Sequence, residues 1–379
     1  MTEPSFNRPL GPVTISELTA GLAWPRLFRA FALSLRPRRV IMGTATVLLL
    51  WVAAKLVRLV MASHGGDAPG NVLAEIADGL GGAAGHLVRL QFADAASSAE
   101  LAWTAIPVHM DSWGAMTVFA ILAAPVWVVC TCALARSAAV DVAGDFDLSI
   151  LRSVVFGLRR LSTLLSAFLI PLGFAALVSL SVRAAGFLLL WLQGVSVVGA
   201  LLYPVAWIGG LVLVLVLVGY ALGQWLLAPA VAADGADATD AVQRAYAYIL
   251  ARPARTLIYA AILLLVGALA FVLVNWLLRT ADGWARELIV SWLPGERAHA
   301  VLATASGSGE PTSSLTSNIM EWWSWMLGAI VAGWGVSYYS CAATLGYLVL
   351  RRVNDHQDEH EIWMPGMIGG TMAARKKPA

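Results

Sequence analysis

The sequence predicts an all-α integral membrane protein, a helical bundle with about six transmembrane helices and two interfacial amphipathic elbow helices in an approximate internal repeat. Composition is the first observation behind this. Of 379 residues, 59% are hydrophobic and 13% charged, with a mean hydropathy of +0.75, whereas a soluble domain carries about a quarter charged residues. The second is a series of apolar runs of the roughly 20 residues needed to cross a bilayer. The third is a short element that occurs twice, DVAGDFDLSILRSVVFGLRRLSTLL from Asp141 to Leu165 and ADGADATDAVQRAYAYILARPARTL from Ala233 to Leu257. At an offset of 92 residues, Asp145 aligns with Asp237, Arg152 with Arg244, Arg160 with Arg252 and Leu165 with Leu257. Each copy reads as an acidic turn, an amphipathic helix of roughly four turns, a basic end and a hydrophobic span.

Residues 1–39 are too long and too arginine-rich near their end for the head of a cleaved signal peptide. Within them Trp24, Leu27, Phe28, Phe31 and Leu35 recur at helical spacing beside several arginines. This reads as an amphipathic helix in the headgroup region, with an ordinary packed helix as the alternative. The first span is Val40 to Met61, with Lys55 and Arg58 near its far end. Residues 62–112 form a Gly- and acid-containing segment whose sole basic residue is Arg89. Span two runs from Trp113 to Ala135 and leads into the first elbow. Span three covers Leu161 to Val182, with a kink expected at Pro171. The apolar stretch that follows is too long for one span. It divides into a short hairpin or interfacial piece, Ala185 to Tyr203, and span four, Val205 to Ala228. After the second elbow come span five, Leu257 to Leu278, a polar loop containing SGSGEPTSS, and span six, Trp322 to Leu350.

Six spans put both ends of the chain on one side. Of the 25 Lys and Arg residues, 18 fall in the N-terminal segment, the elbows and the tail, against four (Arg89, Arg279, Arg286 and Arg297) in the opposite segments. By the positive-inside rule the N and C termini are cytoplasmic. The domain reading is therefore a cytoplasmic N-terminal segment at 1–39, a six-span membrane domain at 40–350 and a cytoplasmic charged tail at 351–379. Tryptophans 284, 292, 322, 323 and 325 would form the aromatic belt of the outer side.

Charge and motif content exclude several classes. A net charge of +2 gives no footprint for nucleic acid. Cys130, Cys132 and Cys341 all lie in apolar runs and read as small buried residues, with no disulfide framework. No Asp, Glu or His falls in the middle of a span, which argues against an ion-coupled relay. His356 and His360 lie four apart in a hydrophilic tail without the embedded glutamate of a zinc-protease helix, so a solvated charged tail is expected and no metal. No cofactor and no catalytic constellation emerges. The residues singled out are structural. Gly219 and Gly223 permit close helix approach, and Ser337, Ser340 and Thr344 lie with Gly333 and Cys341 on one small-residue face of span six. Asp145 or Asp147, and Asp237 or Thr239, are placed to cap the elbow helices. The aligned Arg152 and Arg244 are expected to make specific bonds in preference to a general attraction for anionic headgroups.

The stretches ARSAAVDVAGDFDLSILRSVVFGLRRLSTLLSAFLIPL (Ala135 to Leu172), LAPAVAADGADATDAVQRAYAYILARPARTLIY (Leu227 to Tyr259) and ATLGYLVLRR (Ala343 to Arg352) resemble a group of uncharacterised bacterial inner-membrane proteins. The likeness covers about Trp113 to Arg352 and extends loosely to the membrane domain attached to some glycerophosphodiester phosphodiesterases. It implies a multi-pass protein of the bacterial inner membrane and supplies no catalytic residues. The chain has no candidate phosphodiesterase domain, so that activity is not expected. The expected role is a non-enzymatic membrane-organising or complex-associated subunit, with the bilayer and either a membrane-protein partner or a second copy as its contacts. The alternative is a carrier or channel for a lipid-like or neutral solute, suggested by the repeat.

Overall fold

A computed structural model describes residues 24–62, 113–144, 148–191, 196–295, 311–364 and Met367, with scattered positions between 79 and 98. The described residues are almost wholly helical. A 3-10 turn, Trp24–Phe28, leads into α1, Arg29–Ser34, and α2 follows at Pro37–Ala62. Next come α3, Trp113–Ala143; α4, Ile150–Arg159; α5, Leu161–Leu190; α6, Ser196–Leu201; and α7, Tyr203–Asp234. The chain continues with α8, Ala238–Ala251; α9, Pro253–Val290; and α10, Pro311–Asp355. Six of these, α2, α3, α5, α7, α9 and α10, are long and apolar enough to cross a membrane.

Every span outlasts the apolar run that announces it. The α3 helix continues through Arg136 and Asp141, and α7 runs on to Asp234. The helix ends on this side of the bundle, with the extensions, carry much of the buried core. Leu134, Ala138 and Val140 of α3, Leu226, Ala230 and Val231 of α7, and Leu345, Leu348 and Val349 of α10 are fully covered by protein. Farther along the same helices Ile121, Leu211 and Ile330 are exposed. One end of the bundle is therefore packed like a globular core, while the rest of the apolar surface faces outward.

Small residues set the helix spacing. The α2 and α10 backbones meet at Gly43 and Gly333: a Cβ on Gly43 would run into the Gly333 carbonyl, and one on Gly333 into the Thr44 backbone. On the same face of α10, Ser337 Oγ donates to the Ser34 carbonyl at 3.0 Å, and Trp334 Nε1 donates to Ser34 Oγ at 3.1 Å. Leu27, Ala30 and Leu33 are buried in the shared core, whereas Phe28 and Leu35 remain exposed. The packed-helix alternative thus describes the Leu27 side of the segment.

The region from Ala185 to Tyr203 is not one piece. Its first third belongs to α5, which also runs uninterrupted through Pro171, and α6 occupies only part of the remainder. The elbow helices differ in length. The shorter α4 has ten residues and the longer α8 has fourteen. Both end at the expected junction, Arg160 and Arg252, but their N-caps are Ser149 and Asp237. The two caps are 88 residues apart, so the 92-residue register holds at the ends and slips by about one turn at the starts.

Candidate functional site: a buried arginine knot

The caps and the chain reversal after α7 place the charged residues. Asp237 accepts from Asp240 N at 2.8 Å and from Thr239 Oγ1 at 3.0 Å. The Asp240 backbone N–H, and after it the Thr239 hydroxyl, hold the Asp237 carboxyl below the usual carboxylate range. In the first elbow Ser149 Oγ accepts from Arg152 N at 3.4 Å. Asp145 and Asp147, the expected caps there, lie outside the described residues. Gly235 ends α7 with a φ of +64°, a left-handed conformation that suits glycine. A Cβ there would also lie 2.5 Å from the Trp363 ring.

This turn leaves Asp234 only 1% exposed at the centre of a cluster. Arg351, itself fully buried, donates Nη1 to Asp234 Oδ1 at 2.5 Å, and Arg244 donates Nη1 to Oδ2 at 2.7 Å. The Tyr347 hydroxyl also donates to Oδ2. Tyr347 and Arg351 are four residues apart on α10, so both reach the same carboxylate from one helix face. Arg351 Nη2 donates to the Asp358 and Glu361 carbonyls at 2.7 and 2.5 Å, fastening the chain beyond α10. Among the described residues Arg351 Nε has no partner.

A second guanidinium completes the fastening. Arg136 of α3 donates Nη1 to the Ala232 and Trp363 carbonyls at 2.9 and 2.8 Å, and lies 5.1 Å from the Phe156 ring centre. Arg160 lies 5.0 Å from the centre of the Trp363 ring. Trp363 N donates to the Ala233 carbonyl at 2.6 Å. A further arginine, Arg39, pairs with Asp141 at 2.5 Å and donates to Ser137 and to the Leu33 carbonyl. Arg36 meets the other oxygen of Asp141 at 2.7 Å. The N-terminal segment, α3, α7, α8, α10 and the tail are thereby tied together by buried charge.

Several expected residues gather here. Arg244 bridges Asp234 and Asp240, the latter at 3.0 Å. Burial opposes its charge, but the Asp240 hydrogen bond and the fields of Tyr347, Asp234 and Asp240 raise its pKa above the ordinary guanidinium value. Gly219 and Gly223 receive an elbow helix, not another span. The Tyr246 ring covers Gly219 while its hydroxyl donates to the Val216 carbonyl at 2.8 Å, and a Cβ on Gly223 would lie 2.7 Å from Ile249 Cδ1. Ser340 and Thr344 are buried, and Thr344 Oγ1 donates to the Ser340 carbonyl at 2.7 Å. Arg152 does not join. It is exposed in the first turn of α4 and makes no ion pair with a described residue.

The tail departs from a solvated strand of charge. His356 takes a left-handed conformation, so the two histidines do not share a helix, and Glu359 and Ile362 are buried. Glu359 pairs with Arg26 and Arg352, and the Tyr248 hydroxyl donates to Asp355. Among the described residues no three His, Cys, Asp or Glu side chains are grouped to hold a metal. Chemically, the knot closes helices: its carboxylates accept from guanidinium and phenol donors, and Cys132 and Cys341 are buried as small core residues.

Sequence reasoning missed Arg39, Arg136, Arg351 and Trp363. A signal existed for Arg136, one cation inside a run that otherwise reads as apolar, because a charge placed there must find internal partners. Fold and knot together define the class: a multi-pass helical membrane bundle closed at one end by buried ion pairs. Comparison with protein-family models, curated proteins and solved structures finds no match to this chain.

Proposed function

We propose that the chain is a non-enzymatic, complex-organising protein of the bacterial inner membrane, with both termini in the cytoplasm. The observation that carries this reading is a contrast within the bundle. At one end six segments are locked into a common base by buried ion pairs and guanidinium–carbonyl bonds. From that base α5 and α7 extend as a hairpin in which Gly209 packs against Val182. Only 17% of the apolar stretch of α5 and 6% of that of α7 are covered by protein, against 56% for α10. Such a two-helix arm presents unpartnered surface to lipid or to another membrane protein, and the fixed base sets its direction.

The orientation rests on the distribution of basic residues. The knot draws on Arg39, Arg136, Arg244 and Arg351, all from the arginine-rich side, so the base would be cytoplasmic. The test is extraction into lipid nanodiscs with photo-crosslinkers at Leu177, Val205 and Leu211 of the arm, followed by protein mass spectrometry. A partner polypeptide or a second copy crosslinked in stoichiometric amount from these positions is expected. Crosslinks to lipid alone would overturn the reading.

A further inference from the structure

At the end of the bundle away from the knot, α2, α9 and α10, with Gly82 and Gly85, border an open cleft of about 870 Å³, within the range of about 300–1,000 Å³ of ligand sites. Its wall changes character with depth. Phe271, Val331 and Ala332 line the part nearer the packed core, with Val47 from α2 opposite them. Asn275, Arg279, Asp282 and Ser324 line the other part. Along α9 the change from Phe271 to Arg279 takes eight residues, about 12 Å of helix. Trp276 and Trp325 also line the cleft, side chains of the type that settles where hydrocarbon meets headgroups.

The polar groups carry both signs. Arg279 Nε donates to Asn275 Oδ1 at 3.2 Å. Asp282 accepts from Ser324 Oγ at 2.9 Å and pairs with Arg286 Nε at 3.3 Å, and Arg286 Nη2 donates to the same serine. A guanidinium on one turn and a guanidinium-carboxylate pair on the next suit a phosphate joined to an amine: guanidinium forks bind phosphate oxygens, and the carboxylate accepts from an ammonium. The apolar depth suits acyl chains. Gly328 leaves this room, since a Cβ added there would meet nothing within 4 Å. A water-soluble metabolite would have no use for the apolar half, and a neutral lipid none for the charged mouth. From this juxtaposition we propose that the cleft between α2, α9 and α10 is a seat for one zwitterionic aminophospholipid, its phosphate on Arg279, its amine on Asp282 and its chains against Phe271 and Val331. The seat is separate from the arm through which a partner would dock, so it stands whether or not a partner is found.

Native mass spectrometry of the full chain released from nanodiscs tests this. The probes are phosphatidylethanolamine, phosphatidylglycerol and diacylglycerol, each added to delipidated protein. Wild type should retain one phosphatidylethanolamine in preference to the other two. Gly328→Trp fills the cleft and should abolish that retention. Arg279→Gln, at an exposed position, should weaken it by about tenfold, as expected for one charge-assisted hydrogen bond of about 1.5 kcal/mol. Equal retention of the three lipids, a preference for either of the others, or unchanged retention in Gly328→Trp or Arg279→Gln would overturn the proposal. Thermal unfolding of both variants in detergent identifies any loss that comes from misfolding, in which case the three-lipid preference of the wild type decides alone.

Discussion

Replacing Asp234 with asparagine keeps the shape of the side chain and removes its charge. Three donors converge on that carboxylate, and the strongest consequence falls on Arg351, which is 0% exposed and keeps its charge when its partner is gone. Breaking a buried pair from one side costs about 3–5 kcal/mol, because the remaining ion is neither hydrated nor compensated. Two factors reduce this here. Arg351 keeps its bonds to the Asp358 and Glu361 carbonyls, and the amide oxygen of asparagine can still accept from Arg244 or Tyr347. A loss of about 2–4 kcal/mol is therefore expected. Asp240 provides the internal comparison, because its pair with Arg244 is partly exposed and lies at helical i, i+4 spacing. Asp240→Asn should cost less than about 0.5 kcal/mol. Thermal unfolding in detergent, followed by tryptophan fluorescence, ranks the two variants against wild type. Equal melting temperatures for Asp234→Asn and Asp240→Asn would refute the argument that burial makes the knot costly to break.

Four further outcomes are expected. Arg244→Lys should lose about 1–2 kcal/mol, since one ammonium cannot reproduce a planar fork spanning Asp234 and Asp240. Arg152→Lys should stay within about 0.5 kcal/mol of wild type, and matched unfolding curves for the two lysine variants would contradict this. Gly43→Ala should destabilise the protein more than Gly219→Ala, as backbone lies over Gly43 and only the edge of the Tyr246 ring lies over Gly219; the reverse order in melting temperature would discount the backbone contact. Asp237→Ala should cost about 1 kcal/mol at neutral pH through loss of the α8 cap. Because the folded-state pKa of Asp237 is lowered, its stabilisation is present above the unfolded value of about 3.9 and lost as pH falls through the folded value. The gap between wild type and Asp237→Ala should thus close in acid, and a gap independent of pH would show that the charge is irrelevant.

The spans were legible because each apolar run is a local property of the chain, and the 3.6-residue period and bilayer thickness convert it directly into a helix. Their ends were not. Ala135 reads as the end of a span, but Arg136 and Asp141 continue the same helix because Trp363 and Arg39, far away in sequence, provide their partners. The elbow junctions at Arg160 and Arg252 were readable from local charge and the apolar runs that follow. The cap at Ser149 was concealed by the more acidic residues just before it. Arg244 was found by its alignment with Arg152, yet it is held by Asp234 and Asp240, and the shorter first elbow leaves Arg152 at a different point of its helix. Small residues announced close approach at Gly219 and Gly223 without indicating that the occupant is α8.

The pairing of Asp234 with Arg351 joins residues 117 positions apart, while Arg244 lies only ten residues beyond the aspartate. At about 5–20 residues per second, a ribosome takes on the order of ten seconds to produce Arg351 after Asp234. During that interval the carboxylate has Arg244 as its early counter-ion and awaits the partner that will seal it from water. The aspartate accordingly divides biogenesis into two stages, a provisional pairing available as soon as α8 emerges and a final one that draws in α10 and the chain after it. Nascent chains carrying Ala233→Cys and halted before residue 351 should leave that buried neighbour of Asp234 open to a water-soluble thiol reagent, and chains extended past Trp363 should close it. The carboxylate is thus sealed from water only once α10 and the chain beyond it are in place.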